Sequence, residues 1–352
     1  MTAPPRSEHS PLVDRAVGVL LGLAVGDALG MPTQSMSRER IADTYGSITG
    51  LVDAVDAQPI APSMPAGSIT DDTEQALLVG ELLVSGGGRI AAGTFADALA
   101  SWERGMEAKG SRDLLGPSTK AAIAAIQQGA SLDDDPGRFG TTNGAAMRIA
   151  PIGIAFRPDQ DILLPAVVEA SWITHNTGLG LSAAAAVAAA ISVALEDPAT
   201  GIPELTAAAS QAADALTGTG NWVAGASVGA RIRWASAAAA DLGEAEAVEF
   251  IAEIVGTSVA SQESVPAAFA LIARFGADPY RTLLHAANIG GDTDTIAAIA
   301  GAVLGARHGT TAWPKAVTAQ VLERNDLDLH PLATALLALR TPTSASNTRV
   351  QA

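Results

Sequence analysis

Cysteine is absent from the 352 residues. Disulfides, thiolate catalysis and cysteine-based zinc sites are therefore excluded. The absence is compatible with a reducing compartment, and a cytoplasmic location is expected. Basic residues are scarce: 21 Lys and Arg stand against 37 Asp and Glu, a net charge of −16. Phosphate backbones need clustered Lys and Arg, so no nucleic-acid partner is expected. The same shortage disfavours an anionic membrane surface. Aromatic residues make up 4% of the chain, whereas alanine is abundant. A β-sandwich would want more aromatic and β-branched residues, and alanine favours closely packed helices. Met1–Pro11 is polar and holds no apolar core of a signal peptide. The run Gly178–Leu195 carries no charge, but it is mostly alanine and lacks flanking aromatic or basic anchors. It reads as a buried helix rather than a membrane span.

What is present is helical periodicity nearly everywhere. It predicts helices over 12–28, 72–85, 91–106, 118–128, 161–173, 178–196, 203–217, 222–239, 243–256, 264–274, 277–288, 295–308, 312–324 and 330–340. Strand alternation is scarce and no fixed period repeats. The expected fold class is all-α. No linker or shift of composition divides the chain, so one domain over 11–340 is expected. Polar tails at 1–10 and 341–352 read as disordered. Ala297, Ala298, Ala300, Gly301, Ala302, Gly305 and Ala306 nearly surround one helix. Small side chains let helix axes approach closely, which fits a central, buried helix. Carboxylates at its N-terminus would point into the interior, where they stay ionised only if paired or metal-bound.

Two acidic runs more than two hundred residues apart read as halves of one site. The first is Thr70-Asp71-Asp72-Thr73, and the second is Gly290-Gly291-Asp292-Thr293-Asp294-Thr295. Each precedes a helix-like apolar stretch, so N-capping is the simplest reading. Capping explains one Asp of each run and leaves the other over. Taken together, four carboxylates and neighbouring hydroxyls suit hard divalent ions, and a two-metal site needs several such ligands. Asp27 lies near a helix C-terminus, where a carboxylate is unfavourable, and so needs a reason such as orienting a site residue. The small-residue stretch Phe139–Arg148 reads as a loop entering a helix, either a plain turn or a cradle for phosphate. His175 reads as structural or as a site residue. His9, His285, His308 and His330 make no ligand spacing, and Gly116–Thr119 reads as a helix start with Pro near its first position.

These segments, in this order, resemble the ADP-ribosylglycohydrolase family, which includes the dinitrogenase reductase-activating glycohydrolases. The matching pieces are GDALG at Gly26–Gly30, TDDT at Thr70–Thr73, GPST at Gly116–Thr119, NGAAMRIAPIG at Asn143–Gly153, TH at Thr174–His175 and GGDTDT at Gly290–Thr295. They run from about Val17 to Gly309. The resemblance implies a compact, single-domain orthogonal bundle of helices around two Mg²⁺ or Mn²⁺ ions. It implies Thr70, Asp71, Asp72, Asp292, Asp294 and Thr295 as metal ligands, with Asp71 or Asp72 as the catalytic base. It places Gly140, Thr141, Thr142, Asn143 and Gly144 along an ADP-ribosyl group, with His175 near the pocket. Asp27, Gln34 and Gly291 complete the expected substrate contacts. The implied reaction is hydrolysis of the C1″ ribosyl bond, from a protein side chain such as arginine or from a small nucleotide-like glycoside, releasing ADP-ribose. Two departures stand out. Gln34 occupies a position where some members carry Glu, and an amide cannot act as a base. This keeps open a non-catalytic ADP-ribose- or metal-binding protein. Asn176 follows the histidine where many members have Pro, which is expected to change loop shape. A monomer is expected.

Overall fold

Glycines at 18, 22, 26 and 30 recur every fourth residue and so share one face of a helix. The computed structural model describes residues 10–108 and 116–340. In it this stripe is the seam of the fold. The helices that position the site are α1 (Pro11–Gly30), α2 (Asp71–Ser85), α3 (Pro117–Gln127), α4 (Gln160–His175), α5 (Gly178–Glu196), α6 (Ser261–Phe275) and α7 (Thr293–His308). A Cβ on Gly22 would stand 2.2 Å from the Gly301 carbonyl oxygen, and one on Gly26 would stand 2.2 Å from that of Ala297. Gly18 faces Gly305 in the same way. Each step of four along α1 matches a step of four back along α7, so the helices run antiparallel in backbone contact. The C-terminus of α1 thereby meets the N-terminus of α7. The small face expected on 297–306 is real, and its partner is a second small face on α1.

The fold is all-α, as expected. Among the described residues there is no strand, only three isolated bridges: Met36 with Gly291, Thr142 with Ala260, and Thr177 with Asn221. Each pins one loop to another beside the site. The α5 helix is long and apolar enough to cross a membrane, but 89% of its apolar window is buried among the other helices. It is a core helix. Of the expected tails, 1–9 and 341–352 lie outside the described residues, and Ser10 already precedes α1, its carbonyl accepting from Asp14 N–H.

Three sequence expectations are corrected. The helix expected over 222–239 begins at Val228. The preceding turn is held by Asn221, and Ser227 caps the helix by accepting from Ala230 N–H at 3.3 Å. The one expected over 243–256 is an α-helix, Glu244–Phe250, that continues as a π-helical turn over Ile251–Val255. Short helices at Arg38–Tyr45, Gly144–Met147 and Ala150–Ala155 were not anticipated.

Candidate active site

Asp27 is fully buried near the end of α1 and is the anchor beneath the site. Its carboxylate accepts from Thr70 N–H at 2.9 Å, from the Thr70 hydroxyl at 2.8 Å and from Thr73 N–H at 3.2 Å, as well as from the Thr73 hydroxyl. These donors belong to the start of α2, which would otherwise leave N–H groups unsatisfied. Burial pushes the Asp27 carboxyl up to about 6, against the lowering effect of the Thr73 and Thr70 hydrogen bonds. Thr70 also caps α2 through its own oxygen, which accepts from Asp72 N–H at 3.4 Å.

Asp71 and Asp72, on the first turn of α2, share one cleft of about 280 Å³ with Asp292, Asp294 and Thr295 from the start of α7. The two acidic runs therefore meet. Thr295 donates to Asp72 Oδ2 at 3.4 Å, and Gln75 donates to Asp71 Oδ2 at 3.2 Å. Asp72 Oδ1 and Asp294 Oδ1 are buried with no hydrogen-bond partner. Burial raises the Asp71, Asp72 and Asp294 carboxyls well above the usual range. Their neighbours add to this: Asp294 acts on Asp71, Asp27 on Asp72, and Asp292 on Asp294. Asp292 is raised by burial and eased by its bond from Asn143.

Two bare anionic oxygens in a cleft of mutually repelling carboxylates fit hard divalent cations, which would supply the missing positive charge. Among the described residues, however, no three Asp, Glu or His side chains close on a single point as a ready-made metal cluster. The carboxylates face a common space instead.

The remaining wall comes from loops. Gly290 and Gly291 both have positive φ, 83° and 78°. A Cβ on Gly291 would stand 2.3 Å from the Thr257 carbonyl oxygen, so only glycine lets the 257 loop close on the N-terminus of α7. Gly291 N–H donates to Met36 carbonyl at 2.9 Å, and Ser35 N–H donates back to Gly291 at 2.7 Å. This pairing sets Gln34 and Ser35 at the cleft edge. Asn143 N–H donates to the Val259 carbonyl at 2.9 Å, while its side chain donates to Ser264 and to Asp292. Asn143 thus ties the 139–144 loop to α6 and to the acidic cluster.

That loop rests on a buried cation. Arg148 is fully buried. It donates to Gln75 Oε1 at 2.9 Å and to the Thr174 hydroxyl, and it lies 5.0 Å over the Phe95 ring. Burial lowers its pKa to about 9, opposed by Asp71, so it remains a cation at neutral pH. His175 is fully buried too, with Nδ1 2.7 Å from the Thr174 hydroxyl and Nε2 3.0 Å from that of Thr142. Burial, reinforced by Arg148, holds its pKa well below the usual value.

The expected site residues therefore divide. Asp71, Asp72, Asp292, Asp294, Thr295, Gln34, Thr142, Asn143 and Gly144 line the acidic cleft. Gly140, Thr141 and Thr142 line a second, larger cleft of about 1020 Å³, which shares Pro117 and Thr142 with the first. Thr70, expected as a ligand, is not among the lining residues, and its buried hydroxyl lies 2.8 Å from Asp27 Oδ1 and 3.4 Å from Asp72 Oδ2. Asp27, expected to touch substrate, is not among the lining residues, and its oxygens accept from the start of α2. His175 stands near the pocket, wholly enclosed and one contact behind its wall, through Thr142. Gly291 serves through its backbone. Sequence reasoning missed Ser35, Ile60, Lys120, Met147 and Val259, all on the cleft wall. It also missed Ser118, 2.8 Å from the Thr142 hydroxyl. The hydroxyl of Ser118 was visible in the GPST segment, but a helix start explained it fully.

Comparison with known proteins gives the family. A family model described as ADP-ribosylglycohydrolase matches residues 8–345. The uncharacterized protein YegU of Escherichia coli (strain K12) is 34% identical over 93% of this chain and 97% of its own length. The ADP-ribosyl-[dinitrogen reductase] glycohydrolase of Rhodospirillum rubrum is 30% identical, over 46% of this chain and 52% of that protein. A solved structure described as an ADP-ribosylglycohydrolase-related protein complex matches with a TM-score of 0.66 at 25% identity, over 94% of this chain and 99% of that one. With the family model spanning nearly its full length, and with both acidic runs on one cleft, the chain belongs to the ADP-ribosylglycohydrolase family of hydrolases.

Proposed function

We propose that the protein hydrolyses the C1″ ribosyl bond of an ADP-ribosyl group, with two Mg²⁺ or Mn²⁺ ions held by Asp71, Asp72, Asp292, Asp294 and Thr295. The observation that carries this is the pair of buried, unpartnered oxygens, Asp72 Oδ1 and Asp294 Oδ1, in a cleft lined by four carboxylates. Divalent ions there would polarise ribose oxygens and acidify a bound water. Asp71 is the more exposed of the adjacent pair, at 5% against 1% for Asp72. Asp71 therefore takes the proton from the attacking water as the C1″ bond breaks and passes it to the departing acceptor atom, while the water's OH ends on C1″. Gln75 steadies Asp71 by donating to its Oδ2, and Arg148 holds Gln75 in that orientation.

The nucleotide end lies along the second cleft. Exposed Phe139, at 75% of its surface, offers a stacking face there, and Arg138 offers a cation. The acceptor is an ADP-ribosylated protein or a small ADP-ribosyl glycoside. The enzyme acts as a cytoplasmic monomer, without nucleic acid or membrane.

Release of ADP-ribose from ADP-ribosyl-arginine protein, measured with and without Mn²⁺, is the test. Metal-dependent release supports the reading. Tight ADP-ribose binding with no release from any ADP-ribosylated acceptor would replace it with the non-catalytic binder that Gln34 keeps open, because an amide adds no base to the cleft.

A further inference from the structure

We infer that Arg148 is a positioning residue that, through Thr174, locks His175 in the tautomer protonated on Nε2, and so, through Thr142, presents the Ser118 hydroxyl as a hydrogen-bond donor to the diphosphate of the substrate. This rests on the ADP-ribosyl reading for its ligand but not for its tautomer.

The direction of each hydrogen bond follows from the donor at the start of the chain. A guanidinium only donates, so the Thr174 oxygen accepts from Arg148. The Thr174 proton then has two acceptors within reach, Ser171 carbonyl at 3.4 Å and His175 Nδ1 at 2.7 Å. The shorter bond goes to Nδ1, which must carry a lone pair. The opposite tautomer would leave the Thr174 proton only the longer contact to Ser171 and would turn an N–H toward the buried cation. With Nδ1 bare, the neutral ring carries its proton on Nε2. Nε2–H donates to the Thr142 oxygen at 3.0 Å.

Thr142 is then an acceptor from behind, and it donates its own proton to the Ser118 oxygen at 2.8 Å. Ser118 also accepts from Thr142 N–H at 3.4 Å, so its own proton is the one left to face the clefts. The pair sits where the two clefts join, since Thr142 lines both and Ser118 lines the second. A ligand with a sugar in the acidic cleft and a base in the larger one must pass its linking oxyanions across this point. Those oxygens are acceptors only, so the free Ser118 proton binds them and a bare lone pair there would repel them. The backbone enforces the arrangement. A Cβ on Gly144 would stand 2.9 Å from the His175 ring, and one on Gly140 would stand 2.1 Å from the Thr174 carbonyl oxygen.

Arg148→Met would also release Gln75 and bury a new apolar group, so Thr174→Val is the sharper variant. The chain has 5 histidines, and ring ¹⁵N spectra of the histidine-labelled protein, assigned with His175→Gln, report each tautomer. The expected result is Nε2–H for His175 in the wild type and loss of that single tautomer in Thr174→Val. Affinity for ADP-ribose by calorimetry should fall on the order of ten-fold in Thr174→Val, the weight of about one charge-assisted hydrogen bond. Thr174→Ser should restore both. Protonation on Nδ1 in the wild type, or unchanged ring signals in Thr174→Val, overturns the inference, as does an unchanged ADP-ribose affinity in that variant. A wild type that binds no ADP-ribose counts against the ADP-ribosyl reading and the diphosphate role together, while the ring spectra still decide the tautomer.

Discussion

Gly30 lies against Asp294 so closely that a Cβ on it would stand 2.4 Å from both the N and the Cα of Asp294. The last glycine of the α1 stripe thus sets the position of a carboxylate in the acidic cleft. The obstacle is backbone, which cannot turn aside as a side chain can. Gly30→Ala should therefore push the start of α7 away and weaken divalent binding. Gly22→Ala, two turns away along the same seam, should destabilise without acting on the cleft directly. Overpacking of this kind costs about 1–3 kcal/mol. Thermal melts together with Mn²⁺ titration separate the two effects. Equal metal affinity in Gly30→Ala and Gly22→Ala would show that the seam does not place Asp294.

The acidic cleft should make the protein less stable when empty. Asp72 and Asp294 each bury an oxygen without a donor, and ionised oxygens of that kind are costly. Asp294→Asn should raise the melting temperature of the metal-free protein while lowering Mn²⁺ affinity at least ten-fold and abolishing most turnover. Asp72→Asn should behave alike. Calorimetric melts with and without Mn²⁺ give both numbers. A variant that melts lower than wild type without metal would mean that the carboxylates are already balanced by the protein.

Much of this site is legible in the sequence, and the reasons are local. Two Asp in one helical turn, at Asp71 and Asp72, exceed what capping needs, and so do Asp292 and Asp294. The surplus pointed to a shared cation site before any geometry. The α1 stripe was equally present, at Gly18, Gly22, Gly26 and Gly30, but spacing alone does not say which helix it faces. The direction of a side chain was not legible. Asp27 and His175 belong to segments of the right family pattern, yet neither lines the cleft, because Thr70 and Thr73 occupy Asp27 and Thr142 stands between His175 and the cleft, contacts that only the fold assembles. Ser35, Ile60 and Val259 carry no signal at all, since loop backbones bring them to the cleft. The start of α6 was expected at 264 and is at Ser261. Its first N–H is satisfied by Thr141 carbonyl at 3.1 Å, a tertiary bond no local pattern announces.

Asn176 has a defined task. Its side chain donates to both carboxylate oxygens of Asp135 at 3.0 Å, and Asn221 adds a third bond at 2.7 Å. Asp135 sits at φ 50°, in the left-handed region that such side-chain anchoring helps to hold. Asn176 N–H also donates to Gly137 carbonyl at 2.9 Å. Asn176→Pro, the residue many relatives are expected to carry, removes every one of these donors from position 176. It should cost about 1–3 kcal/mol and weaken ADP-ribose binding several-fold through the 135–142 wall, with the metal affinity unchanged. Chemical denaturation and calorimetry measure the two. Asn176→Pro with wild-type stability would show that Asn221 alone suffices to hold Asp135.

The pH dependence of stability should run opposite to that of most acidic proteins, and only without metal. Asp27 is raised to about 6, and Asp71, Asp72 and Asp294 are raised well above the ordinary carboxylate value. In the unfolded chain each titrates near ~3.9. Between that value and the folded values, the native state therefore holds more protons than the unfolded one. Stability must fall as pH rises through that window, because the unfolded state releases protons that the native state retains. The contribution is complete below the unfolded value and lost once the folded carboxyls ionise. The metal-free protein should thus melt several degrees higher near pH 5 than near pH 7.5. Saturating Mn²⁺ should cancel or reverse the slope, since cations bind the ionised carboxylates and compete with protons. Melting curves at the two pH values, each with chelator or with Mn²⁺, test this directly. A metal-free melting temperature that climbs from pH 5 to 7.5 would mean that the four buried carboxyls do not dominate the balance, and that depressed surface acids do.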